Sequence, residues 1–416
     1  ITTQARDTYL KALAQFYSGM ICTLLSREEE ARGHFRAVLG SGIGHGPVTV
    51  LSLFYLQKDT IDEKGPEVLL DEKNGKPVNN MINLFLADRY FRTGQEKELL
   101  QALNYGISLE LNQDIYYRYF YRYYLTRNDL ERSLLYIKKL INEYPSSIFQ
   151  EEARFNYACL LFQEKEYSEA GKLFQTLAET SPDSPYSART LYFLGFIHFE
   201  QKEYEEAEKN LLSAIKGLEP GSALRTSGIS LLAGIYVVKE EYRKNISLLA
   251  PVKDPAPDLM YTLAYSYSRT EQGSRALELV QDILDRPAEP DTHYRAFLLL
   301  HSLCTNTGND GPLLKYIFKI KENRYVTGRD FINYILDLAG LQHRNRNYRE
   351  SVNQLLNAIT YDMEPEQKIR INLLLYRDYR SLKWQEKASA VLDTLIRLDP
   401  DNAERYRQEK EESEQP

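Results

Sequence analysis

Cysteine, tryptophan and methionine are scarce in this sequence, with three, one and four copies among 416 residues. Cys22, Cys159 and Cys304 lie far apart, with no CxxC pair and no clustered histidine. No disulfide framework and no metal site follow from them. Long apolar runs are missing too. The best candidate, residues 228–238, is interrupted by Ser230 and stops at Lys239, short of the roughly 18 residues that read as a membrane helix. No transmembrane segment is expected. Positive charge is not in excess. The net charge is −7 and the sequence pI is about 5.6, so the chain as a whole repels phosphate backbones, and no nucleic-acid partner is expected. With 21 glycines and 16 prolines, the composition is not that of a low-complexity chain.

The constellations of catalysis are also lacking. The six histidines (His34, His45, His198, His293, His301, His343) are dispersed, and neither HExxH nor GxSxG occurs. GSGIGHGP at 40–47 has no GxxxxGK, and His45 stands where a dinucleotide fingerprint needs its third glycine. It reads as a helix–helix joint. Acidic runs such as KEYEEAEK at 202–209 have the i,i+4 pairing of a solvated helix face. No convergent nucleophile, base and orienting group emerges. The expectation is a protein without enzymatic activity, catalytic residues, cofactor or metal.

What is present is apolar content of 43%, 32 tyrosines and a repeat. In residues 151–184 an apolar helix, a polar turn with Tyr167, an amphipathic helix and Pro182 follow one another. Shifted by 37, the design returns as Tyr204, Ala207, Leu211, Ala214 and Pro220. One position of the second helix marks a ladder at Ala31, Leu99, Ser133, Ala170, Ala207, Asn245, Ala276, Leu313, Ser351 and Ala388. From Leu99 onward its steps are 34, 37, 37, 38, 31, 37, 38 and 37. Four residues beyond each mark stands a large apolar side chain, from Leu103 and Ile137 to Leu355 and Leu392. On the first helices Ala87, Ala158, Gly195, Ala233, Ala264 and Ala339 fill a matching small-residue slot. A hairpin of two such helices cannot bury its apolar faces alone, whereas stacked hairpins share a continuous core. Tyr121, His301 and Tyr376 occupy the small slot in three repeats, which predicts hairpins that are splayed or differently packed there. Pro145, Pro182, Pro220 and Pro400 should end second helices. Ser147 with Gln150 reads as a capping box, and Ser184–Pro185 as N-cap and first helical position.

This pattern resembles the tetratricopeptide-repeat (TPR) family over residues 81–402, with a degenerate copy in 12–45. The resemblance implies an all-α fold, a right-handed α-solenoid of about ten stacked antiparallel helix pairs. The expected organisation is an N-terminal helical segment (1–58) that includes a helix over 48–58, an irregular loop (59–80), nine hairpins (81–402) and a charged tail (403–416). The 37-residue step predicts longer first helices or longer joints. The tyrosine–proline–serine joint at 143–147 is similar to bacterial envelope members of the family, such as lipoproteins that help assemble outer-membrane proteins. A periplasmic or envelope location is the corresponding expectation, with a lipid anchor outside the sequence in hand; the cytoplasm is the alternative.

In the family, first helices line a concave wall. Mapping its positions here assigns partner binding to Arg118, Arg122, Phe155, Phe162, Tyr192, Phe196, Phe199, Tyr261 and Tyr265. Arginine and aromatics are the types enriched at interface hot spots. Asp114–Leu125, DIYYRYFYRYYL, reads as a first helix whose rings serve chiefly as core. Arg370, Arg377 and Arg380 form a second, basic stretch. The family's clamp for acidic C-terminal tails needs Lys and Asn at fixed positions, and no repeat has that pair. The functional expectation is a scaffold or adaptor that holds a protein or extended peptide. The alternatives are a structural homo-oligomer or a peptide or small-ligand receptor accessory to transport or signalling, with a pocket near Tyr261 and Tyr265 marking the receptor.

Overall fold

The computed structural model of the chain describes residues 3–24, 27–41, 47–57, 60–61, 66–71 and 75–414. The glycine-rich joint expected at 40–47 falls mostly outside the described residues. Those residues form 22 α-helices and no strand, and none of the helices is long and apolar enough to cross a membrane. The chain divides into two compact units, 1–197 and 198–416.

In the first unit α1 (Thr3–Leu24) pairs with α2 (Glu28–Gly40), and α3 (Pro47–Leu56) packs on α2. A 3-10 turn at Pro66–Leu69 leads to α4 (Gly75–Thr93), which pairs with α5 (Glu96–Ser108). Hairpins α6 (Gln113–Thr126)/α7 (Leu130–Glu143) and α8 (Gln150–Gln163)/α9 (Tyr167–Thr180) follow, then most of α10 (Ser187–Glu200). The expected loop over 59–80 therefore ends early. Residues 75–80 are the first turns of α4, where Val78, Asn79 and Asn80 are buried.

The second unit holds the end of α10 and α11 (Tyr204–Gly217), then five hairpins. These are α12 (Ala223–Val238)/α13 (Tyr242–Leu249), α14 (Pro257–Ser268)/α15 (Gly273–Asp285), α16 (Pro290–Thr307)/α17 (Gly311–Ile320), α18 (Gly328–Arg344)/α19 (Tyr348–Ala358) and α20 (Pro365–Ser381)/α21 (Gln385–Leu398). Residues read as a tail form α22 (Ala403–Glu414). It packs on α21 and buries Tyr406, whose hydroxyl donates to Asp399 Oδ2 at 2.8 Å.

The ladder is the core. All nine marks from Leu99 to Ala388 are buried, as are all nine apolar residues four positions on. In two hairpins the mark also ties the helices together. Ser351 Oγ donates to the carbonyl of Ala339 at 3.1 Å, and Ser133 Oγ to that of Tyr121 at the same 3.1 Å. Tyr121 therefore does not splay its hairpin. Its backbone keeps the close crossing, while its ring leaves the slot and sends the hydroxyl to Glu152 Oε1 at 2.8 Å in the next repeat.

Five residues before each mark the backbone turns left-handed, at Gly94, Asn128, Lys165, Lys202, Glu240, Glu271, Gly308, Arg346 and Lys383. Each is the turn between the two helices of a repeat, and it repeats with the ladder's own steps. Only two are glycine, although left-handed backbone costs an L-residue about 1–2 kcal/mol. The 37-residue period of the middle repeats comes from joints, not longer helices. Between α7 and α8, and again between α9 and α10, six residues intervene, while the helices on either side have 14. Proline ends the second helices at Pro145, Pro182, Pro220 and Pro400. The serines of the joints do not cap as expected. Ser147 Oγ accepts from Phe149 N and donates to Asp114 Oδ2 at 2.7 Å, and Gln150 Nε2 seals three carbonyls at the end of α7. Ser184 repeats this with Tyr186 N and Glu151 one period on. α10 begins at Ser187, two residues after Pro185.

First helices of successive repeats pack directly on one another: α4 on α6, and α12, α14, α16, α18 and α20 in series. Among the described residues no second helix packs comparably on the next second helix. In the second unit the first helices thus form the side on which successive repeats touch directly.

Candidate interaction surfaces

The tyrosine-rich helix α6 buries seven rings, Tyr116, Tyr117, Tyr119, Phe120, Tyr121, Tyr123 and Tyr124. Tyr116 is fully buried. Its hydroxyl donates to Asn80 Oδ1 at 2.9 Å and accepts from Asn83 Nδ2 at 3.1 Å. Burial pushes its phenol up to about 12. Arg118, assigned to partner binding from sequence, is engaged internally. Its Nε donates to Glu152 Oε2 at 2.8 Å, and its guanidinium lies 4.6 Å from the centre of the Phe149 ring. Arg122 is half-buried over Phe91 at 5.2 Å.

Phe155 and Tyr192 are corrected to core positions, 1% and 6% exposed. Phe155 is enclosed by Phe174, Tyr186 and Phe193, with Arg189 above its ring. Tyr192 meets Phe193 edge to face. The physical reason is packing: both rings are taken up by the aromatic cluster around Phe193. Phe162 and Phe196 are partly exposed and meet edge to face at 5.0 Å, beside Tyr167.

In the second unit Phe199 is partly exposed against Tyr204. Tyr261 and Tyr265, also partly exposed, stack at 6.4 Å. Arg295 lies 4.8 Å over Tyr261 and is tethered to Asp258 at 3.2 Å and Asp291 at 2.7 Å. The two tyrosines therefore present a stacked, half-covered face. The nine residues form no single patch within either unit.

The clearest concavities lie on α16, α18 and α20. A cavity of about 320 Å³ is lined by Thr305 of α16, by Leu336, Asp337, Gly340 and Arg344 of α18, and by Arg370, Leu373, Leu374 and Arg377 of α20. A second, of about 510 Å³, shares Leu373 and Arg377 and extends past His343, Tyr376 and Arg380 to Arg405, Tyr406 and Glu409 on α22. The sequence marks Arg370, Arg377 and Arg380. The fold adds Arg344 and Arg405, which no local pattern connects to them.

Behind this wall lies a buried polar cluster. Asp378 has no exposed side-chain surface; its Oδ1 is 2.6 Å from His343 Nδ1 and its Oδ2 2.5 Å from Ser351 Oγ. Burial raises the carboxyl above the usual range, against the hydrogen bonds of Ser351 and His343. Ser351 Oγ has one hydrogen and two oxygen neighbours, Ala339 O and Asp378 Oδ2. The serine thus shares its one hydrogen between the carbonyl of Ala339 and the Asp378 carboxyl. The serine bonds the acid rather than the imidazole, unlike the arrangement used in acyl transfer. The arginines of the cavities are donors that stay protonated. Anion recognition is the chemistry this arrangement supports. Among the described residues no group of three His, Cys, Asp or Glu side chains is placed to hold a metal ion.

Residues 188–216 match the family model for the tetratricopeptide repeat. No curated protein matches the chain by sequence. Solved structures similar to it include YrrB, described as a TPR protein with an unusual peptide-binding site, at 20% identity and a TM-score of 0.38, covering 47% of this chain and 95% of that one. A tetratricopeptide repeat protein from Parabacteroides merdae is 11% identical with a TM-score of 0.39, covering 64% and 99%. The hetero-tetramer Cut9–Hcn1 of the APC/C is 13% identical with a TM-score of 0.29, covering 97% and 76%. The match thus makes residues 188–216 similar to a tetratricopeptide repeat, and the other helix pairs share its helix–turn–helix order.

Proposed function

We propose that the protein is a scaffold or adaptor that holds another protein, or an extended segment of one, against the wall formed by its first helices. One observation carries the reading: three successive first helices, α16, α18 and α20, line a single open cavity in which Arg344 and Arg377 stand exposed. In the second unit first helices also meet one another directly across repeats, whereas second helices reach the next repeat through its first helix. The chemistry available there is that of recognition, not of bond making. The test is a photo-activated cross-linking residue placed at Leu373 on α20, at Tyr265 on α14 and at Leu356, which is exposed on the second helix α19. In the native cell the first two positions should give a discrete protein adduct and the third none. Adducts from Leu356 alone would reject the reading.

An envelope setting is the companion proposal. It is supported by the resemblance of the 143–147 joint, and fractionation of the native cell tests it. Self-association is the second reading. It is favoured by Leu10, Tyr17 and Ile21, exposed at helical spacing on α1. Sedimentation at several concentrations decides it, and a strict monomer removes it.

A further inference from the structure

We infer that the paired cavities on α18, α20 and α22 receive an extended acidic segment of a partner protein, selected by Arg344, Arg377 and Arg380. The inference rests on the scaffold reading and adds the chemistry of what is held.

The charge balance is the first argument. The two cavities share Leu373 and Arg377 and together are lined by five arginines and two carboxylates, in a chain of net charge −7. The carboxylates go to two of the arginines: Asp337 lies 3.8 Å from Arg370, and Glu409 3.0 Å from Arg405. Arg344 and Arg377 have no carboxylate within ion-pair distance among the described residues. The polar neighbour of Arg380 is the Tyr376 hydroxyl at 3.4 Å. All three side chains are exposed. Like charges gathered without counter-charges oppose folding and favour an anionic ligand.

Spacing and rigidity narrow the class. Arg370, Arg377 and Arg380 share one face of α20, with Leu373 and Leu374 between them. Seven residues of helix rise about 10 Å. An extended chain covers that in about three residues. The fitting ligand carries acidic side chains about three apart, with an apolar residue between them to meet the leucines. At Gly340 an added Cβ would meet nothing within 4 Å, so the floor between α18 and α20 stays open. The arginine face is pre-set, because α20 is pinned from behind by Ile371, Leu375, Tyr379 and Asp378. A wall ordered before binding spends less of the interaction on ordering. A polypeptide fits better than a nucleic acid. The leucines offer nothing to a phosphate chain, and Asp337 and Glu409 at the margins repel a continuous polyanion.

The probe is a fluorescent synthetic peptide of repeating Glu-Leu-Gly units, read by anisotropy with the full chain. Its Gln-Leu-Gly counterpart and a labelled oligo-dT are the controls. The Glu peptide should bind at least about tenfold tighter than either control, and the advantage should shrink as salt rises. Arg377→Glu should weaken it by at least about tenfold, and Arg344→Glu, on a different helix, should do the same, which separates a binding loss from a local fault in α20. Arg349→Glu makes the same charge change at an exposed site on α19 and should leave binding unchanged. Equal binding of the Glu and Gln peptides, no binding of either, equal loss in Arg349→Glu, or tighter binding of oligo-dT would each overturn the inference. If the Leu373 cross-linker captures its partner equally well in the Arg377→Glu background, the scaffold reading stands and the acidic-ligand inference falls.

Discussion

Gly106 gives the most exacting test of how the first unit is packed. It is buried in the last turns of α5. A methyl group added there would overlap Cε1 and Cζ of Tyr116 and come within 2.6 Å of Cδ1. The Tyr116 ring has nowhere to go: it is fully buried, and Asn80 and Asn83 hold its hydroxyl from α4. In an ordinary helix interior, Gly→Ala gains about 0.8–1 kcal/mol from propensity. Overpacking costs about 1–3 kcal/mol, and disturbing a buried hydrogen-bonded phenol about 1–3 kcal/mol more. The Gly106→Ala variant should therefore be less stable than wild type by about 1–5 kcal/mol. Gly33→Ala, also inside a helix but with nothing within 4 Å of the added atom, should gain about 1 kcal/mol. Urea unfolding followed by circular dichroism compares the three proteins. Hydrogen exchange should place the Gly106→Ala loss in α4 to α6, since repeats couple mainly to their neighbours. In a Tyr116→Ala background the penalty of Gly106→Ala should vanish. A Gly106→Ala protein at least as stable as wild type would refute this account of the α5/α6 contact.

Three further outcomes follow from the polar contacts. Asp378→Asn should stay within about 1 kcal/mol of wild type, because the amide keeps an oxygen and a donor among Ser351 and His343, whereas Asp378→Ala should cost about 2–3 kcal/mol by stranding both; calorimetry distinguishes them, and equal losses would show the bonds to this side chain to be incidental. The same raised carboxyl has a definite sign in pH. Its contribution is full below the unfolded aspartate value and fades as pH rises through the higher folded value, so wild type should lose stability relative to Asp378→Asn on going upward. Asp285 has the opposite sign: Lys315, Lys319 and the Tyr316 hydroxyl hold its carboxyl well below the usual range, so its contribution is present above the unfolded value and is lost as pH falls. Carbon-detected NMR should find Asp285 still ionised where free aspartate is half protonated, and its titration at the ordinary value would sink the point. Glu152→Ala should cost about 2–3 kcal/mol in urea unfolding, since it strands both Arg118 and the buried Tyr121 hydroxyl, while a change under 0.5 kcal/mol would show those bonds to be incidental.

The hairpin register was readable because small residues recur where helices cross and large ones recur four positions later. Both consequences survive in the burial of Ser133, Ala207 or Leu211 whatever the joint length. The outward face was less readable. Phe155 and Tyr192 face the core through contacts made between helices, which the composition of a single helix does not mark. The turns were read as polar, but their left-handed residue was not, because it is Lys, Glu or Arg at six of nine places, types with no preference for that conformation. Tyr121 misled by size alone, since a large ring can leave a small slot when the chain aims it at a carboxylate 31 residues on. The basic groove was half legible. Arg370, Arg377 and Arg380 lie on one helix, but Arg344 and Arg405 join them only through stacking.

Hydrogen exchange on the protein with and without its cross-linked partner tests the central claim most directly. Slower exchange should be concentrated in α16, α18 and α20, with α17, α19 and α21 unchanged. Protection confined to the second helices would contradict it.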